Sequence, residues 1–385
     1  MTAAPKLVYL VTEDWYFLSH RLPMAHAARR AGYQVHVLTH VTDHGAAIEA
    51  HGFHLHGLAW RRGSMNPFDL RAIVRQVRGL YRALAPDLIH HVALQPAIIG
   101  SLAAIGLPFR RLNAIAGLGF GFTSPTPKAR LLRPLLTMLL RRLLKSPHAA
   151  VLVQNPDDLA AVGMLGVAPD RVFLIPGSGV DVDALTPLPE PAGTMTAAFV
   201  GRLLADKGVR TLVDAHELLA DRGRPIRLLI AGEPDPANPA SISREDIEAW
   251  KRRSGIVLLG HVPAIRDVWA AAHIAVLPSR REGLPKSLLE AAACGRPIVA
   301  TDVPGCREIA RANVNALLVP PDDPAALAEA IDRLASDAEL RRRFGSAGRR
   351  MVEQEFSSDH IGRATVALYD RLLGRNVLPG AAPGG

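Results

Sequence analysis

The chain has 385 residues, room for two or three domains of ordinary size. With 49% apolar and 21% charged residues it can bury a real core, which excludes a disordered chain. The net charge of +9 sits in one half: up to Leu185, 19 Lys and Arg stand against 11 Asp and Glu, whereas from Thr186 onward 26 stand against 25. A basic half invites an anionic partner, whether a membrane surface, a phosphate-bearing substrate or nucleic acid.

In chain order, short apolar runs alternate with amphipathic stretches. Leu7–Val11, Val35–Thr39, Leu88–His91, Leu112–Ile115 and Ala150–Val153 read as strands, and Arg21–Ala31, Leu70–Leu84, Ala97–Ile105, Ala129–Leu144 and Asp157–Leu165 as helices. Near-continuous apolar strands between helices predict a parallel sheet covered on both faces. Leu185–Thr194 (LTPLPEPAGT), with three prolines and no periodicity, reads as a linker. The alternation then restarts. Strands are expected at Ala197–Val200, Arg227–Ala231, Val257–Leu259, Ile274–Leu277, Ile298–Ala300 and Ala316–Val319, with helices near Val209–Leu219, Pro263–Ala271, Ser287–Ala293 and Pro324–Leu334. Final helices run to about Leu373, and the tail 375–385 is expected to be flexible.

The longest apolar stretch, Leu131–Leu144, is broken by Arg133, Arg141 and Arg142, so no membrane-spanning helix is predicted. The N-terminus enters a strand-like LVYLV without a cleavage pattern, so no signal peptide is expected. Cys294 and Cys306 are too few for a disulfide framework and lack C-x-x-C spacing, which fits a reduced, cytoplasmic protein with no zinc site.

Two segments carry chemistry. In Phe199–Arg210 (FVGRLLADKGVR), a buried strand ends in Gly201-Arg202, and Lys207-Gly208 opens the next helix. Glycine lets a ligand approach the backbone, the helix N-terminus offers free N–H groups, and two cations stand at the same mouth. That combination suits a diphosphate, although a tight turn with two solvated cations is the plainer reading. In Pro278–Glu290 (PSRREGLPKSLLE), a strand end leads through Glu282-Gly283-Leu284-Pro285-Lys286 into a helix containing Glu290. Two carboxylates eight apart suit a hydroxyl-rich ligand; taken alone, Glu290 reads as a solvated helix residue and Glu282 as a partner of the helix dipole.

Together and in this order, the two segments resemble the glycosyltransferase family 4 group, with its GT-B fold. Ala291–Ile309 and Asn315–Ile331 also look like that family's closing strands and helices. Val11–Ala25 and Asn113–Ser124 resemble a bacterial subgroup that builds capsule, O-antigen or lipid-linked glycans. The resemblance implies an α/β chain of two doubly wound Rossmann-like domains facing a cleft: an acceptor-binding domain at 1–185, a nucleotide-sugar-binding domain at 186–355, and a helix at 356–374 crossing back to the first. Arg202 and Lys207 would neutralise the leaving nucleoside diphosphate, Glu282 would face the transferred sugar, and these three would form the catalytic set. Glu290 would accept hydrogen bonds from the ribose. Gly201 and the backbone of Gly283 and Leu284 would line the donor, while Gly232 and Val262 mark the loops that hold the base. The implied reaction is a retaining, metal-independent and cofactor-independent transfer of a hexose-type sugar from a nucleotide donor, UDP-linked by analogy with GDP open, to a glycan or polyprenyl-diphosphate-linked acceptor.

On the first half, Glu13, His20 and Arg21 are acceptor-side candidates, though the segment reads equally as an ordinary capped helix start. His91, Gln95, Asn113, Gly117 and Gly119 join them; buried, hydrogen-bonded histidines are the plainer reading of His90 and His91. The Gly117–Gly121 run lacks the strand–turn–helix setting of a dinucleotide site. Asp181-Val-Asp183 spells a metal-binding pattern of a different glycosyltransferase fold, but here it precedes the linker, so no metal is expected. Residues 128–145 form an amphipathic helix with Leu131, Leu132, Leu135, Leu136, Met138, Leu139 and Leu143 on one face and Arg130, Arg133, Arg141 and Lys145 on the other. Arg142 falls in the apolar sector. This suits either a packed surface helix or peripheral contact with the anionic inner face of the cell membrane. The competing functional readings are a nucleotide-sugar epimerase on the same fold and a basic protein binding anionic glycan or nucleic acid. Only 5% of residues are aromatic and no nucleic-acid motif is present, so no nucleic-acid partner is expected.

Overall fold

The computed structural model describes residues 4–60, 66–115, 127–236 and 238–375, with the side chains of 127–133 left aside. The chain forms two compact units, Met1–Ser178 with Ser358–Gly385, and Gly179–Ser357.

The first unit carries strands β1 (Lys6–Glu13), β2 (Gln34–His40), β3 (His54–Gly57), β4 (Leu88–Val92), β5 (Arg110–Ile115), β6 (Ala149–Val153) and β7 (Val172–Leu174). The second carries β8 (Thr196–Val200), β9 (Arg227–Ala231), β10 (Ile256–Gly260), β11 (Ile274–Leu277), β12 (Ile298–Thr301) and β13 (Ala316–Val319). The sheet orders are β3-β2-β1-β4-β5-β6-β7 and β10-β9-β8-β11-β12-β13, and the neighbours pair in parallel. Both sheets therefore wind outward in two directions from a central pair, β1/β4 and β8/β11. Crossovers leave such a pair on opposite sides, and a crevice opens beyond its carboxyl ends.

Burial follows the alternation of strand side chains. On one face of the first sheet, Leu7, Tyr9 and Val11 pack with Phe17, Met24 and Tyr369; on the other, Val8 and Leu10 pack with Tyr81 and Ile99. The second unit buries one continuous cluster around Phe199, Leu229, Trp269 and Val299.

The edge strands β3 and β7 were not expected. HLHG has one large apolar residue and is half exposed, and VFL, though apolar, is only three residues long. The expected helix Arg21–Ala31 is found as Leu22–Arg30; a further helix that was not expected, Asp14–His20, precedes it, and the two are divided at Arg21 just before Pro23. The helix Arg244–Lys251 was also missed, although Ser243 caps it by accepting from the Asp246 amide at 3.1 Å, an S-x-x-D start signal visible in sequence.

The last helix, Ser358–Leu373, packs on Leu22–Arg30 within the first unit. Gly362 permits the close approach, since a Cβ there would lie 2.8 Å from that of Ala27. A buried polar knot ties the helix down: the Tyr369 hydroxyl lies 2.8 Å from that of Tyr9 and 2.6 Å from His90 Nδ1, and Tyr33 Oη donates to Asp370 at 2.7 Å. On the opposite face, His91 Nδ1 lies 2.8 Å from Asn113 Oδ1 and Nε2 lies 3.0 Å from Tyr81 Oη. Burial, with Arg21 nearby, holds the His90 imidazole well below its ordinary range; burial outweighs the Asn113 bond and brings His91 down to about 4. His36 falls to about 4 as well, through burial and the neighbouring His54 and His56.

These groups fix the acid response. The unfolded chain takes up their protons near pH 6.5, whereas the folded unit accepts them only near pH 4 or below. Stability present at pH 7.5 is therefore expected to fall steadily between about pH 6.5 and 4. Denaturant titrations at pH 7.5 and 5 check this, and an unchanged midpoint at constant m-value would contradict it.

Candidate functional site

The site is built on the central pair of the second sheet. β8 is buried through Phe199 and leads into Gly201, whose amide donates to Ala231 O at 3.0 Å. Beside it, Gly232 follows β9 with φ +138°, and a Cβ there would stand 1.9 Å from Gly201 O. The Gly232 amide in turn donates to Gly260 O at 2.7 Å, so backbone rather than side chains closes the ends of three neighbouring strands. The segment after Gly201 is laced to the loop after β9 by Leu203 N to Glu233 O at 2.9 Å and Ala205 N to Ala240 O at 2.8 Å.

A 3-10 turn, Ala205–Lys207, then brings the chain to Gly208, which has φ +70° and where a Cβ would lie 1.9 Å from Pro278 O. This contact presses the β8 loop onto the end of β11. The side chains meet there too. Lys207 Nζ donates to Glu282 Oε1 at 2.6 Å, and Ser279 Oγ donates to the same oxygen at 2.7 Å. The Glu282 side chain is only 9% exposed and that of Lys207 24%. Arg281 reaches back to Asp206 at 2.7 Å, and the Arg280 amide donates to Asp206 O at 2.9 Å. Arg202 pairs with Asp235 at 2.7 Å.

Past this loop, Gly283 and Leu284 lead into the helix Lys286–Ala293. Gly305, after β12, packs so closely that a Cβ there would lie 2.5 Å from Gly283 O. Glu290 sits on that helix with its side chain 12% exposed and Lys286 Nζ at 3.5 Å. Burial raises its carboxyl above the usual range, against the pull of Lys286. Val262, following β10, is half-buried against the core.

The sequence candidates of this unit thus fall on loops after β8, β9, β10 and β11 and on the helix that follows β11. Lys207 and Glu282, 75 residues apart, are in direct contact. Sequence reading missed Ser279, Asp235 and Gly305. A signal existed for Ser279, three residues before Glu282 at a strand end, but its partner is a matter of folded geometry.

The first unit's candidates divide differently. Glu13 ends β1 and is buried; His20 stacks on Tyr16 with centroids 4.2 Å apart and lies 2.5 Å from Ser19 Oγ. Arg21 is buried, one of its guanidinium nitrogens reaching Met24 Sδ at 3.4 Å. Beside them Asp14, not singled out in sequence, holds the 42–44 turn: burial pushes its carboxyl up, but bonds from Thr42, His44 and Trp15 outweigh this and hold it below the ordinary value. Gln95 is half-buried in the first turn of the helix Leu94–Ala103. His91 and Asn113 face the interior, and Asn113 Oδ1 also accepts from Ser101 at 3.1 Å. Gly117 and Gly119 lie outside the described residues, as does the tail beyond 375.

Asp181 Oδ1 accepts from the amides of Asp183 and Ala184 at 3.0 and 2.9 Å, a local turn. Both cysteines are buried; burial pushes the Cys294 thiol up to about 11 and Cys306 higher still, so neither is a nucleophile at neutral pH.

Residues 6–152 match the family model described as "Glycosyl transferase 4-like", and residues 194–337 match "Glycosyl transferases group 1"; together they cover well over half of the chain. Among relatives, the chain is 30% identical over 175 residues to the capsular polysaccharide biosynthesis glycosyltransferase CapM of Staphylococcus aureus, 46% of each chain. It spans about half the length of that relative. To the N,N'-diacetylbacillosaminyl-diphospho-undecaprenol alpha-1,3-N-acetylgalactosaminyltransferase of Campylobacter jejuni it is 24% identical over 93% of this chain and 98% of the other. Among solved structures, Anabaena HepE in complex with UDP and glucose superposes with a TM-score of 0.75 at 18% identity, covering 95% of this chain and 99% of that one. Two doubly wound units, each matching its model in this order, place the chain among the family 4 glycosyltransferases of GT-B fold, and it is a glycosyltransferase.

Proposed function

We propose that the second unit binds a nucleotide-sugar, UDP-linked, and that the chain moves its hexose or N-acetylhexosamine to a glycan or polyprenyl-diphosphate-linked acceptor in surface polysaccharide synthesis. The observation that carries this reading is the meeting of Lys207 and Glu282 at the carboxyl ends of β8 and β11, over a floor of bare glycine backbone. Lys207 and Arg202 would neutralise the departing diphosphate, with no need for a divalent ion. Glu282 would face the sugar beside Gly283 and Leu284, and Glu290 would take the ribose hydroxyls. The base would lie along the loops of Gly232 and Val262. In this reading the acceptor hydroxyl attacks from the face that the diphosphate leaves, so the anomeric configuration is retained. The names of the relatives support the acceptor class: one acts in capsular polysaccharide synthesis, the other on an undecaprenol-linked sugar. HepE, solved with UDP and glucose, supports the donor class.

The first unit would hold the acceptor, at the inner face of the cell membrane. No helix among the described residues is long and apolar enough to cross a membrane. The helix Pro127–Leu144 leaves Leu135 59% and Met138 63% exposed, with Arg141 and Arg142 exposed on its last turns. Met164, 75% exposed, lies beside it, its carbonyl accepting from Arg141 at 3.3 Å. Apolar side chains standing among cations suit an anionic lipid surface.

Two measurements test these readings. Calorimetric titration in EDTA should give saturable binding of UDP, weakened about 10-fold or more in Lys207→Ala through loss of a charge-assisted bond. A preference for GDP would redirect the donor, and unchanged binding in the variant would remove Lys207 from the site. Sedimentation with anionic liposomes should be lost in the Arg141→Glu/Arg142→Glu variant, whereas no sedimentation of the native chain would overturn the membrane reading.

A further inference from the structure

Glu282 Oε1 accepts two hydrogen bonds, and the two donors differ in kind. Lys207 arrives from another loop on a flexible four-carbon stem, with its side chain 24% exposed. Ser279 belongs to the same loop as Glu282, is fully buried, and is anchored because its own carbonyl accepts a hydrogen bond from Thr301 Oγ1 at the end of β12. Lys207 can swing away on its stem, whereas the Ser279 backbone is held in place.

Resting on the donor-site reading above, we propose that Ser279 is a positioning residue for Glu282. A diphosphate presents more negative charge than one carboxylate, so the Lys207 ammonium is drawn from Glu282 to the donor when it binds. A carboxylate left 9% exposed without its cation would lose its fixed orientation. The Ser279 hydroxyl, 2.7 Å from Oε1, keeps one bond on that oxygen throughout the exchange and leaves Oε2 directed at the sugar site. Ser279 touches neither the nucleotide nor the sugar in this account and acts only through Glu282. Its loss should slow turnover and spare donor affinity.

The test compares the native chain with Ser279→Ala, Glu282→Gln and the double variant. UDP affinity is read by calorimetry. Turnover is read as UDP release from whichever of UDP-glucose, UDP-galactose, UDP-N-acetylglucosamine or UDP-N-acetylgalactosamine the native chain consumes fastest. In Ser279→Ala, kcat should fall about 10-fold, as expected for a lost hydrogen bond to a charged group, with KM and the UDP Kd within about twofold. In the Glu282→Gln background the same change should have little further effect. An equal loss in both backgrounds, an unchanged kcat, or a matching loss of UDP affinity would each overturn the proposal while leaving the donor site standing. If the native chain binds no UDP, or consumes none of the four sugars, the donor reading fails and this proposal fails with it.

Discussion

One ion pair organises the second unit's site. Lys207 and Glu282 come from loops on adjacent strands whose crossovers depart to opposite sides, which opens a crevice beyond their carboxyl ends. Their approach depends on Gly208, where any side chain would strike Pro278 O, and the loop beside it on Gly232, where a Cβ would strike Gly201 O. The site is therefore a consequence of strand order and of two glycines before it is a matter of charge. A pair this shielded from water contributes little net stability, because desolvating both ions offsets their attraction. In the function proposed above, it stores a cation and a carboxylate at a defined place, ready for exchange with an anionic ligand.

The first unit shows the opposite use of buried polar groups. Two buried groups, Tyr9, His90 and Tyr369 on one face of the sheet and Tyr81, His91 and Asn113 on the other, spend hydrogen bonds inside the fold. The first of them fastens the chain's last helix to its first sheet, so residues about 360 apart in sequence are bonded directly. Histidines at a strand end thus serve as structure here, and their neutral state ties the unit's stability to pH.

Much of this was legible in the residues. The central strands are continuous apolar runs, because both faces of a parallel sheet are covered, and their ends carried the Gly-Arg, Lys-Gly and paired-Glu segments. What escaped was what apolar patterning does not encode. The edge strand His54–Gly57 lies half exposed and has histidines where an inner strand would have valines. The break at Arg21 reflects local backbone geometry. That Lys207 meets Glu282, and that Ser279 shares the same oxygen, follows from two crossovers closing on each other and could not be read from spacing. Nor could spacing distinguish His91, turned into the core, from a ligand-facing histidine.

If the loops after β8 and β11 form a nucleotide-diphosphate site, a crystal structure of the chain with UDP shows it most directly. Lys207 Nζ is expected within hydrogen-bonding distance of a diphosphate oxygen, and the Glu290 carboxylate on the ribose hydroxyls. UDP bound elsewhere, with the Lys207–Glu282 pair undisturbed, would contradict it.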